Sequence, residues 1–222
     1  EANRRYIEER SDGKVGYIYV PDTGYTGRKE LFRQFTTQYM KDALIVDERW
    51  NGGGNSPRPF VDLLTQELSQ FWATRNVDKL MPDPQYAHYG PKCLLINESA
   101  GSGGDSFPYI FRELGAGPLI GTRTWGGLIG LSGNPGLIDG GYASVPTFAF
   151  VDKDGTWGIE GHGVDPDIEV VADPALMVDG RDPQIDKAIE VMLSALDKKP
   201  VKFPPKPDYP DRSGMGIREE DR

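Results

Sequence analysis

The spacing of apolar residues along this chain changes repeatedly, and each change marks an element. Val15-Gly16-Tyr17-Ile18-Tyr19-Val20 is an unbroken β-rich run and predicts a strand. Leu31, Phe32, Phe35 and Tyr39 then recur at helical spacing within residues 28–40. Ala43-Leu44-Ile45-Val46-Asp47 reads as a buried strand that ends in charge. Beyond a glycine cluster, Phe60, Leu63, Leu64, Leu68 and Phe71 mark an amphipathic helix over about residues 57–72. Residues 92–97 predict a third strand, and Phe107, Ile110, Phe111 and Leu114 a helix after it. A fourth strand starts at Pro118–Gly121.

Strand and helix alternate in this way through the first half, which predicts an α/β fold of βαβ units with a parallel sheet. From about residue 141 the helical period disappears. Ala143–Val151, Gly158-Ile159-Glu160 and Ile168–Val171 read as strands of a β-rich C-terminal portion. Ile185, Ala188, Ile189 and Met192 place a closing helix over 182–196. The expected division is a catalytic domain over 1–197 and a Pro-rich, then charged tail over 198–222, extended or poorly ordered. About a dozen polar residues precede the first strand, and that start reads as a cut from a longer chain.

Composition narrows the function. The 222 residues suffice for one substantial core, and 37% apolar content is too high for a disordered chain. Lys plus Arg number 25 against 34 Asp plus Glu, so the formal charge is 25 − 34 = −9. No basic stripe offsets it, which argues against nucleic acid or an anionic membrane as partner. Cys93 is the only cysteine and lies in an apolar run, so no internal disulfide forms and a cytoplasmic location is expected. One Cys and two His do not make a structural zinc site, and neither metal nor cofactor is expected.

Two polar, glycine-rich turns follow predicted strands, where α/β sheets place their chemistry. One is Asp47-Glu48-Arg49-Trp50-Asn51-Gly52-Gly53-Gly54; the other runs from Asn97 through Gly101-Ser102-Gly103-Gly104-Asp105 into a helix. A serine at such a strand-to-helix turn can project its hydroxyl into a cleft, and free N–H groups at the helix start can hold an oxyanion. Ser102 is the candidate nucleophile and Gly103 the adjacent donor. The second donor is expected from the Gly52–Gly54 segment, with Gly52 as first choice. From composition alone, both segments also read as simple flexible turns.

Three motifs in order give a family resemblance. Asp47-x-Arg49-x-Asn51-x-Gly53-Gly54 resembles the segment ahead of the oxyanion loop in the C-terminal-processing (S41) peptidases. Asn97 to Asp105 resembles their nucleophile motif, and Gly121–Gly127 their third motif. Gly127 stands where the processing enzymes carry a catalytic lysine, so a serine–lysine dyad is unavailable there. That departure, with Leu119–Gly127, Gly163–Val170 and Asp182-Pro183-Gln184, resembles the tricorn branch over nearly the whole chain.

The resemblance implies a crotonase/ClpP-like core and a serine peptidase acting on oligopeptides. It also implies a parent chain with propeller, helical and PDZ domains ahead of this one, and assembly into a hexamer. It assigns Ser102 as nucleophile and Glu160 as a supporting carboxylate. The histidine base and a second serine are expected from the helical segment that this chain lacks.

Other residues carry weaker expectations. His162, two residues after Glu160 on the predicted strand, is a candidate substitute base. His88 reads as a loop residue, and Asp105 as a charge facing a helix N-terminus. Ser56, Ser99 and Ser106 have the right hydroxyl without the flanking match. Trp50 and Trp125 read equally as core or pocket lining. Two other functions remain: a non-catalytic ligand- or peptide-binding module of the same fold, and a crotonase-like acyl-CoA enzyme.

Overall fold

The computed structural model describes residues 1–55, 57–178, 180–210 and 218–221; Ser56 lies outside them. The elements in chain order are α1 (Ala2–Arg10), β1 (Val15–Tyr19), α2 (Tyr25–Gln38), β2 (Ala43–Asp47), α3 (Arg58–Leu64), β3 (Gln70–Trp72) and β4 (Met81–Asp83). They continue with β5 (Lys92–Ile96), α4 (Gly103–Glu113), β6 (Leu119–Gly121), β7 (Gly130–Leu131), β8 (Pro146–Phe148), β9 (Ile168–Glu169), α5 (Pro174–Met177) and α6 (Pro183–Lys198).

Five strands form one parallel sheet in the order β1-β2-β5-β6-β9. Successive side chains on a strand point to opposite faces, so β2 and β5 supply two cores. Leu44, Val46, Leu94 and Ile96 pack with Leu31, Phe35, Phe60, Phe107 and Phe111 from α2, α3 and α4. Ala43, Ile45, Cys93 and Leu95 pack with Ile7 from α1 and with Ile185, Ala188, Ile189 and Met192 from α6. Cys93 is fully buried, which pushes its thiol well above the usual range, so it serves as a small apolar residue.

A buried ionic network joins the sheet to α6. The Arg49 guanidinium, 1% exposed, donates from Nε and Nη2 to both carboxylate oxygens of Asp47 (2.9 and 2.7 Å). Its Nη1 donates to Asp182 Oδ2 (2.7 Å) and Gln184 Oε1 (2.8 Å). Asp182 caps α6, its Oδ1 accepting the N–H groups of Gln184 and Ile185. The Gln184 side chain reaches on to the Val170 carbonyl.

Five features differ from the sequence expectation. The polar start is a helix, α1, missed because Ile7 is its only buried residue and leaves no apolar period. The helix expected over 57–72 ends at Leu64; residues 70–72 instead pair antiparallel with 81–83, and Phe71 meets the Phe203 ring edge-on at 5.4 Å. Leu68 and Phe71 matched helical spacing by coincidence. Ala143–Val151 pairs with β7 only through β8, and Gly158–Glu160 is a turn rather than a strand. Residues 168–169 belong to the main sheet as its edge strand, not to a β appendage. In the tail, Lys206 Nζ donates to the carbonyls of Thr74 and Val77 at 2.8 Å each.

Replacing Arg49 leaves Asp47 buried without its cation. Arg49→Leu should therefore lower the unfolding free energy by about 3–5 kcal/mol, the usual cost of breaking a buried pair from one side. Urea unfolding checks this; a loss below ~1 kcal/mol would contradict the anchoring role.

Candidate active site

The carboxyl ends of β2, β5 and β6 converge on one set of turns. After β5, the chain folds through Asn97–Gly101 and enters α4 at Ser102, which caps the helix with φ 57° and ψ −115°. A side chain at positive φ is disfavoured, and such strain concentrates at functional turns. Here it lifts Ser102 out of the wall: the residue is exposed, while its neighbours Gly101, Gly103, Gly104 and Asp105 are buried.

Two loops are hydrogen-bonded to this turn. From the loop after β2, Trp50 N–H donates to Asn97 Oδ1 (2.9 Å), and the Asn51 carbonyl accepts Gly101 N–H (3.1 Å). From the loop after β6, Trp125 N–H donates to the Ala100 carbonyl (2.9 Å). Asp105 closes the arrangement. Its Oδ2 accepts Ser102 N–H (2.7 Å) and Gly127 N–H (3.1 Å), and its Oδ1 accepts Gly126 N–H (2.7 Å). Asp105 therefore does more than face the start of its own helix, as the sequence suggested; it ties the serine to the third motif. Burial pushes its carboxyl above the usual range, and the Thr124 side chain, then the N–H groups of Gly126, Ser102 and Gly127, pull against that shift.

The free backbone donors differ from the expectation for Gly52. Gly52 N–H donates to the Pro21 carbonyl (3.1 Å), and Gly53 N–H to Asn51 Oδ1 (2.8 Å). Among the described residues, the N–H groups of Gly54 and Gly103 make no hydrogen bond. These two glycines touch: a Cβ built on Gly103 would stand 2.8 Å from Gly54 N, 2.5 Å from Gly54 O and 2.0 Å from Thr23 Oγ1. The Gly52 N–H is thus occupied, and the N–H of this glycine run that stays without a hydrogen bond is that of Gly54.

Ser102, Gly103, Gly54, Ser106, Trp125 and Glu160 line one open cleft of about 1150 Å³. Glu160 reaches it from the turn after Trp157, its Oε2 accepting the N–H groups of Leu128 (2.5 Å) and Ile129 (2.8 Å). The Gly161 N–H to Gly126 carbonyl bond (2.7 Å) fixes that turn against the third motif.

The two histidines lie elsewhere. His162 does not share a strand face with Glu160; its exposed ring meets Asp165 Oδ2 at 2.6 Å and does not line the cleft. His88 lies in the loop before β5, as expected, and is buried there, bonded from Nε2 to the Lys41 carbonyl (3.0 Å); burial followed by the Lys92 charge lowers it to about 3. It precedes β5, at the amino end of the sheet, whereas Ser102 follows the carboxyl end. Five strand residues at ~3.3 Å each separate the two ends. Trp50 is half exposed, with the Arg49 guanidinium over its ring at 5.0 Å. Among the described residues no group of three or more His, Cys, Asp or Glu is placed to hold a metal ion, and no helix is long and apolar enough to cross a membrane.

The family model of peptidase family S41 matches residues 14–170. The chain belongs to peptidase family S41. It is 42% identical to the tricorn protease of Thermoplasma acidophilum over 207 residues, covering 93% of this chain and 19% of that protein. A putative tricorn-like protease C-terminal subunit of Sulfurisphaera tokodaii is 41% identical over 199 residues, with 90% and 23% coverage. The crystal structure of the tricorn protease superposes with a TM-score of 0.83 at 43% identity, over 89% of this chain and 19% of that one. This S41 chain spans about a fifth of the length of the curated relatives it matches. The photosystem II D1 C-terminal processing protease, at 19% identity and a TM-score of 0.55, shares the fold.

Gly54 tests the donor pair directly. It has φ +144°, and a Cβ there would stand 2.3 Å from Gly24 N. Gly54→Ala should slow covalent labelling of Ser102 by a fluorophosphonate about 10²–10³-fold, the usual effect of losing one oxyanion donor. The fold is to be checked by circular dichroism. Unchanged labelling in a folded variant would remove Gly54 from the site.

Proposed function

We propose that this chain is the serine-nucleophile domain of a tricorn-like peptidase that hydrolyses oligopeptides through an acyl-enzyme on Ser102. The observation that carries this reading is the exposed, positive-φ serine beside two free N–H groups, in the same cleft as Glu160. Ser102 Oγ attacks the scissile carbonyl carbon and its proton passes to a base. The carbonyl oxygen, now an oxyanion, accepts the N–H groups of Gly103 and Gly54. The C–N bond breaks as the amine takes the proton, and water then releases the acid from Ser102 through the same steps.

A serine hydroxyl is a weak nucleophile without a base within hydrogen-bond reach. His162 faces Asp165, His88 is at the far end of the sheet, and Gly127 replaces the lysine of the processing enzymes. The resemblance to the tricorn branch supplies the base as a histidine from another segment of the parent protein, with Glu160 orienting it through an intervening serine. Propeller, helical and PDZ domains and a hexameric assembly are the partners this reading supplies, in the cytoplasm.

Among the described residues neither histidine is placed to serve Ser102, which favours one second reading, a peptide-binding module that does no chemistry. The two separate by peptide turnover and by labelling. The isolated chain should turn over peptides about 10²–10⁴-fold more slowly than the full parent protein, the usual share of general acid–base assistance. In the parent protein fluorophosphonate should label Ser102 and Ser102→Ala should abolish the label, while His162→Ala should leave the slow turnover of the isolated chain unchanged. Turnover near the parental rate that vanishes in His162→Ala would make His162 the base. A complete failure of the parent protein to label at Ser102 would favour the binding module.

A further inference from the structure

Behind the nucleophile turn lies a carboxyl group that the peptidase mechanism does not use. Glu48 directly follows β2 and opens the loop that carries Gly54. It is 0% exposed, and neither Oε1 nor Oε2 has a hydrogen-bond partner in the protein. Asn51 Nδ2 and Thr23 Oγ1 are buried and unpartnered too. Asn51 lies against Gly104, where a Cβ would stand 3.1 Å from the Asn51 Cβ, and Thr23 Oγ1 lies against Gly103. The unpaired groups thus sit under the first residues of α4.

An ionised carboxylate without donors is among the costliest groups to bury. The charged groups facing Glu48 are Asp105 from α4 and Asp47 from β2, both of its own sign. Arg49, its chain neighbour, is bonded to Asp47 and Asp182. Two nearby carboxyls in a dry site do not both ionise, and the one with donors keeps the charge. Asp105 holds three backbone N–H groups, whereas the donor nearest Glu48 is the Asn51 side-chain amide, which falls short of hydrogen-bond geometry and offsets little of the burial.

We propose that Glu48 is a positioning residue of this site, held as the uncharged acid beneath the nucleophile turn, so that Asp105 alone carries the charge that ties Ser102 to Gly126 and Gly127. Ionising Glu48 sets a second negative charge against Asp105. That favours protonation of Asp105 and weakens the bonds that fix the serine. The site then has an alkaline limit set by a residue that never touches substrate. Burial, followed by the charges of Asp105 and Asp47, moves the Glu48 carboxyl well above its ordinary value of 4.5. A group with a raised folded value binds a proton in the native state that the unfolded chain has released. Its contribution to stability is complete below 4.5 and is lost as pH rises toward the folded value.

The test uses the whole chain and reads the carboxyls directly. Carboxyl ¹³C NMR from pH 4 to 10, assigned through bonds in the wild type, should find Glu48 protonated and Asp105 ionised at pH 7. A wild-type Glu48 ionised at pH 7, or an Asp105 that is protonated there, overturns the proposal whether or not any variant folds. Glu48→Gln, which has the shape of the neutral acid, should remove a pH slope from urea unfolding. Up to about tenfold in the unfolding equilibrium constant per pH unit should disappear between the ordinary and raised carboxyl values.

The reactivity arm rests on Ser102 being the nucleophile. Wild-type fluorophosphonate labelling should fall at alkaline pH as the Gly126 and Gly127 amide resonances shift; Glu48→Gln should label at the wild-type rate at pH 7 and lose both changes. An alkaline fall that persists in Glu48→Gln overturns the positioning role. If Ser102 does not label at all, the peptidase reading fails, while the amide shifts still decide the role of Glu48.

Discussion

One buried guanidinium sets the frame in which everything else is placed. Arg49 sits at the carboxyl end of β2 and binds Asp47 with a two-pronged contact while holding Asp182 and Gln184 at the start of α6. A planar fork is suited to this, since it satisfies two carboxylates in fixed directions at once. Such a pair adds little net stability over an apolar replacement of the same shape, but it cannot be broken from one side cheaply. What it provides is direction: the chain leaves Arg49 through Trp50 and Asn51 along a path that delivers Gly54 to Ser102. The helix α6 and the donor loop are thus located by a single side chain.

Glycine does the opposite work at the same site, by omission. A methyl group on Gly103 would collide with the Gly54 backbone and the Thr23 hydroxyl, and one on Gly54 with the Thr23–Gly24 backbone. Among the described residues their N–H groups make no hydrogen bond, while the flanking donors of Gly52, Gly53 and Ser102 are occupied within the protein. A preorganised pair of this kind stabilises developing negative charge without reorganisation. Asp105 makes the arrangement rigid by accepting the serine's own N–H, and its charge depends on the protonation of the carboxyl behind it.

Much of this was legible in the sequence, and the failures have physical causes. The βαβ order was readable because β1, β2 and β5 each contain a run of apolar residues, and α4 and α6 carry their apolar residues on one face. The position of Ser102 between strand and helix followed from the same pattern. The helix over 57–72 failed because Phe71 is apolar for a contact with Phe203, far along the chain, which periodicity cannot express. Glu160 and His162 were placed on a strand when glycines at 161 and 163, both at positive φ, fold them into a turn that separates them. The donor Gly54 was obscured by its neighbours, because three adjacent glycines are equivalent until the carbonyl of Pro21 and the side chain of Asn51 claim two of them. Glu48 reads as solvated charge in a polar turn; only its complete burial reveals otherwise.

The central claim is that Ser102 attacks and that Gly103 and Gly54 receive the charge. A crystal structure of the chain with a peptide boronate bound tests it most directly, since a boronate becomes tetrahedral on the attacking oxygen and mimics the intermediate. The account predicts a covalent bond from Ser102 Oγ to boron and one boronate oxygen about 2.7–3.1 Å from the nitrogens of both Gly103 and Gly54. A boronate attached to Ser106 or another hydroxyl, or an oxygen turned away from both glycines, would contradict it.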